Sequence, residues 1–272
     1  MTTFQKILKG LAIAFAIFLI VNICFGILSA LGIVFGISDI YSNAKRVDIQ
    51  KEFSINNIND IMISSNISDI QILKGDSLRV EATNVNENIT LKSEGDKLVI
   101  KENDKNNFFQ TNEKSEIKVY IPERLYIERF ELDSGVGKTY IEYLKADKVS
   151  LDLGVGNIVI DMIESNQTKV NAGVGNIEIN GGIMGDSDFD LGVGNTNISA
   201  VLQEKSKIEC GVGDVDIHLL RVADGYQIDV EKGMGSIKLN GENIKENTKY
   251  GDGMNKVSIE AGMGNIDIDV KE

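Results

Sequence analysis

Leu151-Asp152-Leu153-Gly154-Val155-Gly156-Asn157-Ile158-Val159-Ile160 decides the fold, because the same pattern returns as Val170-Asn171-Ala172-Gly173-Val174-Gly175-Asn176-Ile177-Glu178-Ile179 and as Phe189-Asp190-Leu191-Gly192-Val193-Gly194-Asn195-Thr196-Asn197-Ile198. Across the chain the paired glycines are Gly135 with Gly137, Gly154 with Gly156, Gly173 with Gly175, Gly192 with Gly194, Gly211 with Gly213, Gly233 with Gly235, and Gly262 with Gly264, all read as structural turns. Successive pairs are 19, 19, 19, 19, 22 and 29 residues apart. A fixed period of this length marks a stack of repeated supersecondary units.

Aligning the units on their first glycine separates columns with different physical demands. Three residues earlier stand Leu132, Leu151, Val170, Phe189, Ile208, Val230 and Ile259; six residues later stand Ile141, Ile160, Ile179, Ile198, Ile217, Leu239 and Ile268. Apolar and polar residues alternate on either side of the turn, the period of a strand with one buried face. No unit is long enough to bury that face alone, so stacking at about 4.8 Å per coil must close the core. The residues between the glycines, Val136, Val155, Val174, Val193, Val212, Met234 and Met263, are apolar too and are expected inside. Glycine suits the corner because a tight turn commonly demands positive φ and because the next coil's backbone approaches closely.

Three residues after the first glycine stand Asn157, Asn176, Asn195, Asp214 and Asn265, with Lys138 and Ser236 as exceptions. Asn and Asp tolerate left-handed backbone and hydrogen-bond their own turn, so this column reads as structural. Cys210 shares a column with Leu153, Ala172 and Leu191 and reads as a small packed apolar group. Residues 131–272 are therefore assigned to an all-β solenoid. Residues 47–130 are strand-rich but less regular. Within them Ile63-Ser64-Ser65-Asn66-Ile67-Ser68 fits the repeat with Asn66 and Ser68 in place of glycines, a degenerate first coil. Lys74-Gly75-Asp76 and Glu94-Gly95-Asp96 read as hairpin turns, and residues 102–115 as a surface loop.

The N-terminus differs in kind. No charged residue occurs from Gly10 to Ser38, and as a helix those residues would span roughly 43 Å, more than a hydrocarbon core of about 30 Å. The run exceeds a signal peptide's apolar region and lacks a small-residue cleavage site, so an uncleaved anchor is expected. Lys6 and Lys9 place residues 1–9 in the cytoplasm, 10–38 across the membrane as one helix, 39–46 as a juxtamembrane linker and the remainder outside, although Lys45 and Arg46 reduce the charge contrast.

Beyond residue 9 the chain carries 26 basic against 41 acidic residues, a formal charge of −15 that repels nucleic acid. Two residues before each glycine pair stand Asp133, Asp152, Asn171, Asp190, Glu209, Glu231 and Glu260. Pointing outward from stacked coils, the six acids form a carboxylate column that solubilises the face, with a cationic partner or weakly held calcium as its functional readings. Calcium, however, wants about six to eight oxygens around one ion, and one acid per coil supplies few. No catalytic residue, metal site or cofactor is assigned: His218 is the one histidine and stands at an outward position, shared with Asp161, Asn180 and Ser199, with no cysteine to help it, and the glycine pairs lack the third glycine of a phosphate loop.

The anchor, Val119-Tyr120-Ile121-Pro122, Leu132-Asp133-Ser134-Gly135-Val136-Gly137 and the later Gly-Val-Gly-Asn-Ile units together resemble a bacterial β-strand-repeat family of unknown function labelled "putative adhesin", which includes LiaG-like envelope proteins. The resemblance covers nearly the whole chain. It implies a β-solenoid-like fold at the cell envelope and no established reaction, and it carries over no catalytic residues; with the apolar run and its flanking lysines, the expected location is the bacterial cell membrane with the C-terminal part extracytoplasmic. The resulting expectation is a non-enzymatic, membrane-anchored protein that binds an envelope component or surface, with a link to the envelope stress response. A wall-polysaccharide enzyme using carboxylates such as Asp214 and Asp216 is one alternative, and a passive scaffold is another.

Overall fold

The computed structural model describes residues 45–102, 114–220, 225–245 and 249–270. The apolar run 10–38 and its expected membrane span lie outside them, as do the tail, most of the linker and most of the loop 102–115. From Lys45 onward the chain forms one unit, and among the described residues every regular element is a strand.

Each coil gives one strand to each of two sheets, with the glycine pair at the corner between them. In the middle of the stack the first sheet receives Leu144–Val155, Ile163–Val174 and Gly182–Val193, and the second receives Ile158–Ile160, Ile177–Ile179 and Thr196–Leu202. All these pairings between coils are parallel, with repeat columns in register: Leu151 lies beside Leu132 and Val170, and Ile160 beside Ile141 and Ile179. Parallel pairing follows from winding, because every coil runs the same way.

The core columns are those the alternation predicts. Leu151, Phe189, Ile208, Val230, Ile259, Ile160, Ile179, Ile198, Ile217 and Ile268 are fully buried, and Leu239, in the end coil, is partly buried. Cys210 is buried as expected, and burial is the main cause that pushes its thiol pKa up. The degenerate coil is present: Asp60–Ile67 runs beside Arg129–Val136, with Ser65 opposite Ser134 and Ile67 opposite Val136.

The two glycines of each pair do different work. Gly175 has φ +152°, a region unfavourable for any residue with a Cβ, and a Cβ there would overlap the carbonyl oxygen of Gly156 in the coil below. The second glycines of the later corners, Gly213, Gly235 and Gly264, share this backbone, with φ +150°, +138° and +148°. Gly173 has no unusual φ, but a Cβ on it would press on the carbonyl oxygen of Gly154. One glycine makes the turn, and both permit the stacking.

Two expectations need correction. The valines and methionines between the glycines are not core: Val155 is 51% exposed, Val174 50% and Val193 49%. The positive-φ glycine carries the chain round the corner and leaves the residue before it on the outside. Second, Lys74-Gly75-Asp76 is no hairpin, because Glu116–Ile121 lies between Asp69–Lys74 and Leu78–Asn86, pairing parallel with the first and antiparallel with the second. Glu94-Gly95-Asp96 does join an antiparallel pair, with Glu94 opposite Lys97.

Periodicity leaves the order of the coils open, and they do not stack in sequence order. Asn255–Met263, the strand of the Gly262 coil, lies between Lys205–Val212 and Tyr226–Met234. Ile266–Val270 likewise lies between Val215–Leu219 and Ile237–Leu239. The Gly262 coil is thus inserted under the Gly233 coil, which forms that end of the stack. The corner glycines record the same order: a Cβ on Gly264 would meet the carbonyl oxygen of Gly213, and one on Gly235 would meet that of Gly264. The other end repeats the device: Asp60–Ile67 sits between Lys97–Glu102 and Arg129–Val136. Antiparallel strands flank the ends, including Arg46–Phe53 on Leu78–Asn86 and Thr90–Glu94 on Lys97–Glu102.

Candidate binding face

The acidic column is assembled by register. Asp133 is opposite Asp152, Asp152 opposite Asn171, Asn171 opposite Asp190, Asp190 opposite Glu209, Glu209 opposite Glu260 and Glu260 opposite Glu231. Asp133, Asp152, Asp190 and Glu231 are exposed, while Asn171, Glu209 and Glu260 are half-buried. Two interactions blunt the repulsion along it: Asn171 Nδ2 donates to Asp152 Oδ1, and Lys207 Nζ lies 2.7 Å from Glu209 Oε1. The Lys207 pKa is raised, first by that hydrogen bond, with Glu260 and Asp188 adding to it.

Beside the acids runs a ridge that alternation alone places inside. Val136, Val155, Val174, Val193, Val212, Met263 and Met234 follow one another in register, about 29 Å in all at about 4.8 Å per coil. Val212 is 43% and Met234 44% exposed, and Val136 and Met263 are half-buried. Glycines on both sides leave each of these side chains without flanking side chains in its own coil. Along the acids lie open grooves, one of about 490 Å³ lined by Asp133, Asp152, Asn171 and Asp190 with the first glycines of their corners. A second, of about 600 Å³, continues past Glu209, Glu260 and Glu231.

The Asn column holds the corners rigid through side chain to backbone bonds. Asn157 Oδ1 accepts the N–H of Asn176 at 3.0 Å, Asn176 Oδ1 that of Asn195 at 2.9 Å, and Asn195 Oδ1 that of Asp214 at 3.1 Å. Asp69 Oδ1 begins the same arrangement by accepting the Lys138 N–H at 2.8 Å.

On the other sheet, a patch that sequence reading singled out only in part gathers Asp214, Asp216, Asp267, Asp269 and His218. Asp216 is opposite Asp267, and His218 Nδ1 is 3.2 Å from Asp269 Oδ2. Burial and then Asp267 and Asp214 push the Asp216 carboxyl above its usual range. Asp214 is engaged in the corner ladder, accepting from both the N–H and Nδ2 of Asn265. Among the described residues no group of three or more His, Cys, Asp or Glu is arranged to hold a metal ion.

These features define a β-solenoid with glycine corners, an outer apolar ridge and an adjoining carboxylate column. The chain belongs to the Toastrack DUF4097 family, whose profile matches residues 58–264. This agrees with the resemblance to a family of unknown function labelled "putative adhesin". Among solved structures, the chain is similar to a "putative cell adhesion protein" from Clostridium sporogenes at 21% identity and TM-score 0.36, covering 84% of this chain and 100% of that one. It is similar to a "putative adhesin" from Bacteroides fragilis at 16% identity and TM-score 0.46, covering 83% and 98%. A "putative lipid binding protein" from Parabacteroides distasonis is similar at 16% identity and TM-score 0.41, covering 84% and 100%. No curated protein matches the chain.

Proposed function

We propose that the chain is a non-enzymatic, membrane-anchored envelope protein that presents its solenoid corner as a binding surface outside the cell, within an envelope stress response. The uncharged run from Gly10 to Ser38, preceded by Lys6 and Lys9, supports the anchor and its orientation. One observation carries the binding role: the ridge from Val136 to Met234 is apolar in every coil yet stands at the surface. Contiguous exposed apolar surface rimmed by polar groups marks interaction sites. The aligned acids beside it favour a partner that combines apolar and cationic groups over an anionic one. Their even distribution over the coils supports many small contacts rather than one reactive centre.

Photo-crosslinking in living cells tests this reading. The full-length chain carries a photoreactive residue at Val174 or Val193 on the ridge, or at Glu178 on the other sheet as control. The expected outcome is a discrete adduct from the ridge positions, lost when Asp152 and Asp190 are changed to Asn. Equal labelling from ridge and control positions refutes the binding surface.

A further inference from the structure

We infer that the slot filled by the Gly262 coil also accepts the same coil from a second copy of this chain, so that neighbouring molecules are joined by exchange of residues 255–270. The slot is a gap one coil thick between two parallel strand pairs. Its lower wall is Lys205–Val212 with Val215–Leu219, and its upper wall is Tyr226–Met234 with Ile237–Leu239. Both walls are complete before residue 255 is reached in the chain. The last coil therefore enters a place that the preceding sequence has already built.

The chain is adapted to leave that place open. The spacing from Gly211 to Gly233 is 22 residues instead of 19. Three extra residues reach about 10 Å, more than the further ~4.8 Å needed to step over one missing coil. The end coil also carries residues suited to an end. Lys232 lies opposite Ala261, in the column that holds buried Leu191 and Cys210 elsewhere. Ser236 stands in the ladder column and bonds to the coil below, its N–H and Oγ both donating to Asn265 Oδ1, at 3.1 and 2.8 Å.

Every contact the inserted coil makes is the same whichever molecule supplies it, so exchange changes no native interaction except in the connection. That connection, residues 240–254, runs in sequence from the upper wall to the inserted coil, and within it Glu242–Asn243 pairs antiparallel with Ile237–Leu239 and Lys249–Tyr250 with Tyr226–Met234, so these short pairings are what exchange has to rearrange. Two chains held in one membrane, as the proposed anchor would hold them, meet at high effective concentration while their slots are open. The slot itself does not depend on the binding role of the ridge.

The test uses full-length chains in which Cys24 and Cys210 are replaced by Ala. Lys207 and Ser258 face each other across the lower wall and the inserted coil. Two differently tagged chains are co-expressed, one with Lys207→Cys and the other with Ser258→Cys, and oxidised. Exchange yields an interchain disulfide, read as a shift to twice the chain mass that carries both tags. Ser150→Cys with Lys169→Cys, a facing pair between coils that are not inserted, serves as the control. A single chain bearing both Lys207→Cys and Ser258→Cys reports that the fold has formed, by closing its own disulfide. Absence of the interchain product while the double variant closes overturns the inference. So does equal interchain product from the control pair, which would reflect collision rather than insertion.

Discussion

Asp214 Oδ1 accepts the backbone N–H of Asn265 at 2.8 Å, a bond between residues 51 positions apart that occupies the same rung as bonds between residues 19 apart elsewhere in the ladder. Asn265 then passes the pattern on to Ser236, which precedes it in sequence. Asn265→Ala removes the bonds to Ser236 and the Nδ2 bond to Asp214. We expect a loss of about 1 kcal/mol, read from the urea midpoint at unchanged m-value. A variant as stable as the parent would show that the ladder contributes nothing at this end.

Lys138 interrupts the same ladder, since its ammonium only donates and offers the next coil's Asn157 N–H no acceptor. Lys138→Asn is expected to add the missing rung and raise stability by about 0.5 kcal/mol, while Lys138→Leu, without an acceptor, should not. Thermal unfolding of the two variants side by side distinguishes the rung from mere removal of a charge.

Gly175→Val combines an unfavourable φ with overlap on the Gly156 carbonyl. The expected cost exceeds about 3 kcal/mol, because the neighbouring coils are fixed on both sides and cannot yield. An unchanged melting temperature would contradict the role given to the second glycine of each corner.

At the opposite end, Glu102 has a fully buried side chain and accepts from Ser65 Oγ at 2.9 Å, from Ser68 Oγ and from the Asn86 N–H at 3.2 Å, with Arg46 at 3.6 Å. Glu102→Ala withdraws both acceptor oxygens from three donors in the interior, and the expected loss is about 3 kcal/mol by urea unfolding. Glu102→Gln keeps one acceptor oxygen and should lose less.

Asp216 carries a pH signature with the opposite sign to most carboxylates. Its folded pKa lies above the unfolded value, through burial first and then Asp267 and Asp214, with Asp269 adding and His218 opposing. Ionised Asp216 therefore opposes folding. The opposition is complete above the folded pKa and vanishes below the unfolded value of about 3.9. Asp216→Asn should raise the melting temperature at neutral pH, with the gain shrinking as the pH falls toward about 4. A gain that grows on acidification would reverse the assigned cause.

The candidate face was legible in part. The acids at Asp133, Asp152, Asp190, Glu209, Glu231 and Glu260 are brought into one column because a constant offset from a repeated glycine pair becomes a straight line once the coils stack. The ridge beside them was not. Val155 and its equivalents are apolar and fall two residues from buried or half-buried positions such as Leu153, so alternation assigns them to the core; the conformation of Gly156 takes them out of it. Buried Glu102 gave no local signal either. It lies opposite Ser65, and the partners that satisfy it come from three other strands, through Ser65, Asn86 and Arg46, and from the turn at Ser68.

The sequence alone determined the all-β class, the coil length, the buried columns and the need for glycine at the corners, because each depends on local periodicity and backbone sterics that repeat from unit to unit. Tertiary structure decided the order of the coils. Coils with matching columns stack on one another equally well in any order, so the repeated residues cannot say which neighbours which. The choice rests on the exceptions: Lys232 and Ser236 suit an end coil, whereas Ala261 and Asn265 suit a coil with neighbours on both faces. Their meaning is set by what lies above and below them, which is a property of the assembled stack.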